Sequence, residues 1–341
     1  NKQYDVVIVG AGLAGSGLAC ALGDSGLKIA LVEGGSLPTT APLAATKAGD
    51  FDSRVSALTE VSRKFLQHID VWDAMQEISV GPYCHMTVWD AQGTGEIEFD
   101  AAEVQQPRLG HIVENRITNW CLLQRISQLP IDVFSQAKVS GLTELVANDA
   151  AKGEPAYSLM LADGSTMQAS LLVAADGALS IIRTLAGFET REWDYNHKAI
   201  VATVECEQPH QQTAWQRFLP QGPLALLPLT AGNGGQQYCS IVWSAEPDYA
   251  DELMALDDAG FRGALGKAFE HRLGGISAVS KRISFPLRQR HAKQYFKAGL
   301  VLVGDAAHSI HPLAGQGINL GLQDVQVLAE EITRGAKRGL A

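Results

Sequence analysis

The stretch VVIVGAGLAG, residues 6–15, is an apolar run that leads directly into a G-x-G-x-x-G motif. Apolar residues then recur at helical spacing over residues 13–25, which predicts a helix. Residues 28–33 form a second apolar run, which is typical of a strand. A strand, a glycine turn, a helix and a second strand in this order predict the opening β–α–β unit of a Rossmann-like domain.

The glycines of this motif, Gly10, Gly12 and Gly15, suit the binding of a nucleotide. They permit a tight turn, let the backbone approach a pyrophosphate and allow the helix to pack closely. The first turn of the helix also offers unpaired N–H groups and a partial positive charge to an anion. Glu33, at the end of the second run, can accept hydrogen bonds from ribose hydroxyls. The unit is therefore expected to bind a dinucleotide, and it does not discriminate FAD from NAD.

A second pair of glycine-containing segments lies late in the chain. GDAAH at residues 304–308 follows an apolar run at residues 300–303, and PLAGQGIN at residues 312–319 leads into a predicted helix. Asp305, at a strand end, is placed to bind sugar-like hydroxyls such as the ribityl chain of a flavin. The helix start near Gly317 would direct its positive end towards charge on reduced flavin. Alone, these segments are equally consistent with a structural turn and a glycine-rich helix start. A simple NAD-dependent dehydrogenase needs no second site, so the combination favours FAD.

A third motif is VAADGALS at residues 173–180, which is followed closely by Arg183. In isolation it is most simply an Asp-Gly turn with a helix cap. Beside the other two motifs, the better interpretation is that Asp176 helps to shape the nucleotide region.

The middle of the chain shows a different pattern. Several β-rich runs follow one another without helices between them, which predicts an antiparallel sheet. These runs are residues 199–204, 215–219, 224–229 and 238–243. Two hairpins are predicted at residues 86–100 and 157–174, and further helices at residues 117–129, 250–272 and 318–332.

The two patterns interleave, so the predicted class is α/β (α+β overall) with discontinuous domains. A Rossmann-like FAD-binding domain is expected to comprise residues 1–80, 108–185 and 286–341. An interleaved antiparallel β-sheet substrate domain is expected to comprise residues 81–107 and 186–285.

Composition excludes several classes of protein. The net charge of −10 argues against nucleic acid, which requires a basic surface. The five cysteines are scattered without a C-x-x-C pair, which is typical of neither a disulfide framework nor a zinc site. A reducing cytoplasm is the simplest compartment. No uninterrupted apolar run approaches the length of roughly 18 residues that a membrane span needs.

Together these motifs resemble the flavoprotein aromatic hydroxylases of the para-hydroxybenzoate hydroxylase type, and within them the hydroxylases of ubiquinone biosynthesis. Further points of resemblance are SRVSAL at 53–58, HIVEN at 111–115, WDY at 193–195 and residues 304–321. The resemblance covers nearly the whole chain. It implies an FAD domain, a smaller β-sheet domain over the flavin, and insertion of one oxygen atom into a phenolic ring. It also implies that NAD(P)H reduces FAD and that a flavin hydroperoxide then attacks the ring.

The resemblance also implies a set of cofactor-binding residues. They are Gly10, Gly12, Gly15, Glu33, Arg54, Asp176, Asp305, Gly315, Gln316, Gly317 and Asn319. The first four would hold the adenosine half of FAD, and the last four would border the isoalloxazine. Between them, Arg54 would approach the flavin or its pyrophosphate, and Asp305 would bind the ribityl chain. No metal is expected, and no catalytic side chain is identified; His308 and His311 are expected to pack near the flavin.

The expected partners are an aromatic small molecule or prenyl-lipid substrate and molecular oxygen, and no nucleic acid. Contact with the surface of the inner membrane or with a biosynthetic complex is consistent with a cytoplasmic protein that acts on a prenylated phenol or quinol. Two alternatives stay open: a flavin monooxygenase of a small soluble aromatic, and a non-catalytic flavoprotein subunit of a biosynthetic assembly.

Overall fold

The computed structural model describes residues 2–145, 156–310 and 317–339. Its strands are β1 (Lys2–Val9), β2 (Ile29–Val32), β3 (Val55–Leu58), β4 (Gly81–Tyr83), β5 (His85–Asp90), β6 (Glu96–Asp100), β7 (Gly110–Glu114), β8 (Ile131–Phe134), β9 (Val139–Glu144), β10 (Tyr157–Leu161), β11 (Thr166–Ala174), β12 (Thr190–Cys206), β13 (Thr213–Leu219), β14 (Gly222–Leu229), β15 (Tyr238–Ala245), β16 (Ile276–Val279), β17 (Ile283–Ala292), β18 (Phe296–Lys297), β19 (Leu300–Leu302) and β20 (His308–Ser309). Its α-helices are α1 (Leu13–Leu22), α2 (Glu60–His68), α3 (Trp72–Ile78), α4 (Asn115–Ile126), α5 (Ile181–Leu185), α6 (Pro247–Ala255), α7 (Asp258–Ala268) and α8 (Gly317–Lys337).

A largely parallel sheet forms the first layer, with the strand order β18-β19-β11-β1-β2-β8. Within it β1 pairs in parallel with both β2 and β11, and β11 pairs in parallel with β19. Val9, Ala174 and Leu302 are register partners at the carboxyl ends of β1, β11 and β19. The three sequence motifs each follow one of these ends, so the topology brings all three to the same edge of the sheet.

The second large sheet has the order β20-β17-β12-β15-β14-β13-β5-β6. The strands β12, β15, β14 and β13 are antiparallel neighbours, which confirms the predicted antiparallel sheet. Both predicted hairpins are also present, as β5–β6 and β10–β11. One face of the sheet is covered by α6 and α7, where Trp243 packs with Phe261 and Leu265 in a closed core. The opposite face contributes Ala214 and Leu227 to a separate apolar cluster.

The apolar cluster on the opposite face joins the sheet to the long loop at residues 36–52, between β2 and β3. Ala45, Ala48 and Phe51 of the loop pack with Leu227 and Leu229 of β14. The loop is therefore held against the second sheet.

The helix predicted over residues 250–272 is wrong, because the structure contains two helices there. Leu256 has an extended backbone, with φ −63° and ψ 148°, and ends α6. Asp257 then caps α7, since its carboxylate accepts a hydrogen bond from the Gly260 N–H at 2.7 Å. An Asp side chain that accepts a hydrogen bond from the backbone N–H three residues later stabilises the start of a new helix. It therefore favours a break here over one continuous helix. Apolar periodicity alone did not reveal this break.

Asp257→Ala is expected to destabilise the protein by about 1 kcal/mol, the usual cost of losing an N-terminal cap. The measurement is urea unfolding of the variant and of Asp257→Ser, which retains a capping oxygen. A variant as stable as the wild type would show that α7 does not depend on this cap.

The chain crosses between the two large sheets around β17 to β20. The boundary predicted between residues 285 and 286 falls inside β17, which belongs to the second sheet as far as Ala292. The strand β20 returns to this sheet by pairing with β17, directly after the Gly304–Ala306 turn. The two large sheets are thus joined beside the late glycine motif. No helix of the described ranges is long and apolar enough to cross a membrane.

Candidate functional site

A cleft of about 890 Å³ lies where the three motifs meet at the edge of the parallel sheet. Its walls come from the turn after β1, the turn after β11, the segment after β19, the loop before β3 and the start of α8. The residues that line it include Gly12, Leu13, Ala14, Pro38, Thr40, Pro42, Asp52, Arg54, Asn115, Arg116, Ala175, Gly177, Ala178, Gly304, Asp305, Ile310 and Gly317. Sequence segments that are up to three hundred residues apart therefore form one site.

Two glycines of the first motif are required by close backbone contacts. Gly10 has φ +104°, and a Cβ there would lie 2.4 Å from the Ala175 carbonyl oxygen. A Cβ on Gly15 would lie 1.9 Å from the Gly10 carbonyl oxygen. Real side-chain atoms do not approach this closely, so both positions exclude every other residue unless the backbone shifts.

Gly12 differs from its two neighbours in the motif, because a Cβ there would meet no atom within 4 Å. Its backbone is extended, at φ −77°, so glycine is not required by conformation. The residue lines the cleft and precedes α1 without any side-chain cap on the first helical N–H groups. The open space and the uncapped helix end suit a bound anion that approaches the backbone closely.

Glu33 is fixed beside this turn by two backbone donors. The Ala11 N–H donates to Oε2 at 2.8 Å, and the Gly35 N–H donates to Oε1 at 2.7 Å. Each carboxylate oxygen keeps a free lone pair for a further donor. The side chain is half-buried at the end of β2, as the sequence pattern indicates for a residue that binds ribose hydroxyls.

Asp305 lies in the short 3₁₀ turn Gly304–Ala306 and its side chain is exposed to the cleft. The concave wall around it displaces water and raises the pKa of its carboxyl, while nearby His308 opposes that shift. Gly304 in the same turn has φ +58°, and a Cβ there would lie 3.2 Å from the Ala14 side chain. The turn is thus pressed against the start of α1.

Asp176 and Arg183 organise the wall formed after β11. One oxygen of Asp176 accepts hydrogen bonds from the Ile181 and Ile182 N–H groups at 2.8 and 3.2 Å, which caps α5. Its other oxygen, Oδ1, is buried and has no partner within the described ranges. Asp176 therefore acts as a helix cap, which is the simplest interpretation of this motif taken alone. Its neighbours Ala175 and Gly177 line the cleft, but Asp176 itself does not.

Arg183 is 6% exposed and its guanidinium bridges two walls of the cleft. It donates to the Ala178 carbonyl oxygen at 2.7 Å and to the Ala306 carbonyl oxygen at 2.8 Å. Burial lowers its pKa, and Arg290, which also donates to the Ala178 carbonyl, adds to that effect. The side chain therefore joins the Asp-Gly turn to the turn that carries Asp305.

Arg54 and Arg116 place positive charge on the loop side of the cleft. Arg116 donates to Glu114 at 2.8 Å and to the Asp50 carbonyl oxygen at 2.9 Å, so it fastens the long loop. Burial raises the pKa of Glu114, and the Asp52 N–H and Arg116 oppose that shift. Arg54 is exposed, and its guanidinium has no protein partner among the residues that the structure describes, so it is free to bind an anion.

The four residues predicted to border the isoalloxazine do not all line the cleft. Gly317 begins α8 and lines the cleft. Asn319 does not line it: its amide donates to the Ala57 carbonyl oxygen at 2.7 Å and accepts from Ser62 Oγ at 2.6 Å. Gly315 and Gln316 lie outside the described residues, as does His311.

Sequence reasoning missed the side chains that connect these segments. Arg116 received no role, Arg183 was noted only as a neighbour of the Asp-Gly motif, and Asp324 was not identified. The carboxylate of Asp324 contacts His308 Nε2 at 2.6 Å and accepts from the Gly304 N–H at 3.0 Å. A charged residue shortly after a turn motif was the available signal for Arg183, but its partner Ala306 lies 123 residues further along the chain.

Three segments that meet at the carboxyl edge of a parallel sheet, with an uncapped helix start and a fixed carboxylate, define a dinucleotide-binding protein. The comparisons with known proteins specify the class further. The chain belongs to the FAD binding domain family, which it matches over residues 3–338. The resemblance noted in the sequence is confirmed by this match, and so are the expectations of FAD and of a Rossmann-like domain with an interleaved antiparallel sheet.

Relatives of known activity are similar along the whole chain. The chain is 35% identical to 3-demethoxyubiquinol 3-hydroxylase of Escherichia coli (strain K12) over 341 residues, covering 100% of this chain and 82% of that protein. It is 36% identical to ubiquinone hydroxylase UbiL of Rhodospirillum rubrum, covering 100% of this chain and 75% of that protein.

A solved structure shows the same fold. The crystal structure of Pseudomonas aeruginosa PqsL in complex with 2-aminobenzoylacetate matches with a TM-score of 0.78, covering 99% of this chain and 88% of that chain. At 20% identity this similarity establishes the fold alone.

Proposed function

We propose that the protein is an FAD-dependent monooxygenase that hydroxylates the aromatic ring of a prenylated phenol or quinol in ubiquinone biosynthesis. The observation that supports this most strongly is full-length similarity to two ubiquinone-pathway hydroxylases, combined with a cleft that the three flavin motifs form together. NAD(P)H is the proposed electron donor, and molecular oxygen the second substrate. A cytoplasmic location, with contact at the inner-membrane surface, suits a prenyl-lipid substrate.

The residues at the adenosine end of the cleft fit FAD on structural grounds. The open space beside Gly12 would admit a pyrophosphate against the backbone, where the first N–H groups of α1 have no side-chain cap. Glu33 would accept hydrogen bonds from the ribose, because two backbone N–H groups already fix its orientation. Gly10 and Gly15 would contribute indirectly, by allowing the turn that carries Gly12.

The residues at the flavin end have complementary roles in this proposal. Arg54 would pair with the pyrophosphate or approach the flavin, and Asp305 would accept hydrogen bonds from the ribityl hydroxyls. Asp176 would act through the backbone, by holding the turn whose Gly177 lines the cleft. Gly317 would let the start of α8 approach the ring system, with Asn319 fixing that start. Gly315 and Gln316 lie outside the described residues, and their contact with the isoalloxazine stays a prediction.

The chemistry that FAD supplies when bound and reduced is the activation of molecular oxygen for transfer to an electron-rich ring. The protein's own contribution is to bind, orient and exclude water. The positive end of α8 would stabilise negative charge on the reduced ring system. The second sheet, held to the cleft by the Ala45, Ala48 and Phe51 cluster, would limit the access of water.

The experiment that tests this function is oxygen consumption by the FAD-loaded protein with NADH or NADPH. A prenylated phenol should stimulate consumption strongly, and a small soluble phenol should do so less. Stimulation by the small phenol alone would favour the soluble-substrate alternative. Bound flavin without any stimulated consumption would indicate a non-catalytic flavoprotein.

A further inference from the structure

A pair of titratable side chains lies directly behind the turn that carries Asp305. His308, in β20, is 8% exposed, and Asp324 is half-buried in α8. Neither residue lines the cleft. The pair therefore lies beside the proposed cofactor site without direct access to it.

A single oxygen of Asp324 joins three segments. Its Oδ2 atom accepts a hydrogen bond from the Gly304 N–H at 3.0 Å and lies 2.6 Å from His308 Nε2. Gly304 and His308 bracket Asp305, one residue before it and three residues after it. Both ends of the short segment that presents Asp305 are therefore fastened to the same carboxylate on α8.

His308 is surrounded by groups that influence its charge. Asp324 faces it from α8, and Asp305 is near it in the preceding turn. From β17 of the second sheet, His291 is its cross-strand partner. From the segment between β17 and β18, the Tyr295 ring lies 5.8 Å from the imidazole, between centroids. Tyr295 and His291 are hydrogen-bonded to each other, at 2.7 Å between the hydroxyl and Nε2. Asp324 raises the pKa of His308, and burial opposes that shift.

We propose that the His308–Asp324 pair is a positioning element that holds Asp305 in the orientation needed to bind the ribityl hydroxyls of FAD. The inference rests on the proposed placement of Asp305 beside the ribityl chain. It assigns no proton transfer to His308 and no direct contact with FAD to either residue. The pair acts by fixing the backbone on both sides of Asp305, and the ionic hydrogen bond is strongest when His308 is protonated.

The pH dependence follows from the direction of the His308 pKa shift. Because the folded protein holds the pKa of His308 above its ordinary value, the pair contributes stability that is fully present below the unfolded pKa, about 6.5. That contribution is lost as the pH rises through the folded pKa. FAD affinity should weaken over the same interval, because the turn is then held less firmly.

The test uses the full chain and measures the FAD dissociation constant by flavin fluorescence from about pH 5.5 to about pH 9. Asp324→Ala removes both contacts and should weaken FAD binding about tenfold or more at about pH 5.5, with a smaller deficit on the alkaline side, where the wild type itself loses the ionic contact. Asp324→Asn keeps a carbonyl that can accept from Gly304 but removes the charge. The affinity of Asp324→Asn for FAD should lie between those of the wild type and Asp324→Ala. Its affinity should not fall on the alkaline side as that of the wild type does.

A second readout is the melting temperature of the FAD-free protein across the same pH range. The wild type should lose stability on the alkaline side, and Asp324→Asn should lack this part of the profile. Glu330→Gln is the matched control, because it removes an exposed carboxylate from the same helix and should leave both profiles unchanged.

The outcomes separate this inference from the proposed function. Wild-type protein that binds no FAD would overturn the assignment of the cofactor site itself. If the wild type binds FAD and both Asp324 variants match it in affinity and pH profile, the positioning role is wrong. If Asp324→Asn is weakened but retains the wild-type pH profile, the charge on the pair has no part in positioning, and the proposal is likewise overturned.

Discussion

Gly10→Ala is expected to destabilise the protein by about 4 kcal/mol, whereas Gly12→Ala should fold normally and fail to hold FAD. At Gly10 the backbone has φ +104°, and the added methyl group would lie 2.4 Å from the Ala175 carbonyl oxygen. Strain and overpacking therefore act together, at the point where β1 and the end of β11 meet. At Gly12 the methyl group meets no protein atom within 4 Å, so only the space for the cofactor is lost.

The two glycine variants form a matched pair, since each adds one methyl group to the same motif. Urea unfolding of the FAD-free proteins measures the fold, and retention of flavin absorbance after desalting measures the cofactor. Equal stability of Gly10→Ala and the wild type would refute the geometry of the turn. Normal flavin retention by Gly12→Ala would show that the pyrophosphate does not approach the backbone there.

Asn319→Ala has the second-largest expected effect, a loss of about 3 kcal/mol of stability. The buried amide donates to the Ala57 carbonyl oxygen and accepts from the Thr59 N–H and from Ser62 Oγ. Truncation leaves these groups in the interior without their partner, which costs more than the hydrogen bonds alone contribute. Because the amide fixes the start of α8 against β3 and α2, FAD binding should weaken as well.

The measurement for Asn319→Ala is again urea unfolding in the absence of FAD. Gln326→Ala serves as the control, because Gln326 lies on the same helix and its amide donates to the exposed Glu330 side chain. The control should change stability by no more than about 0.5 kcal/mol. Equal effects of the two substitutions would show that Asn319 does not anchor the helix.

The parts of the fold that were predictable from sequence are those with a short-range signal. The opening β–α–β unit follows from apolar periodicity and three glycines within six residues, and the structure confirms it in β1, α1 and β2. The two hairpins and the antiparallel order of β12 to β15 follow from turn residues and from the absence of intervening helices. Except for the pairing of β12 with β15, the determining contacts join segments that are consecutive in the chain.

The parts that were missed depend on long-range partners or on single side chains. The break between α6 and α7 depends on one capping carboxylate, Asp257, in a stretch whose periodicity continues through it. The contacts of Arg183 with Ala306 and of Asn319 with Ala57 join residues that are 123 and 262 positions apart. No local pattern encodes such a partner, because the two residues come together only through the tertiary packing of distant segments.

The sequence identified residues that lie at or near the cleft, but not which of them face it. Gly12, Arg54, Asp305 and Gly317 line the cleft, and their contact with a cofactor stays a prediction. Asn319 belongs to the layer behind it, where its side chain is fully used within the protein. A motif identifies which residues occur near a cofactor, but it does not distinguish those that face it from those that hold its neighbours.

The most direct test of the proposed function is isotope labelling under ¹⁸O₂ with the FAD-loaded protein, NAD(P)H and a prenylated phenol. Product mass spectrometry then reports whether the new ring oxygen comes from molecular oxygen. The account predicts one ¹⁸O atom in each product molecule and none when the reaction is run in H₂¹⁸O under ordinary oxygen. A hydroxylated product labelled from water, or oxidation of NAD(P)H with no hydroxylated product for any phenol tested, would contradict it.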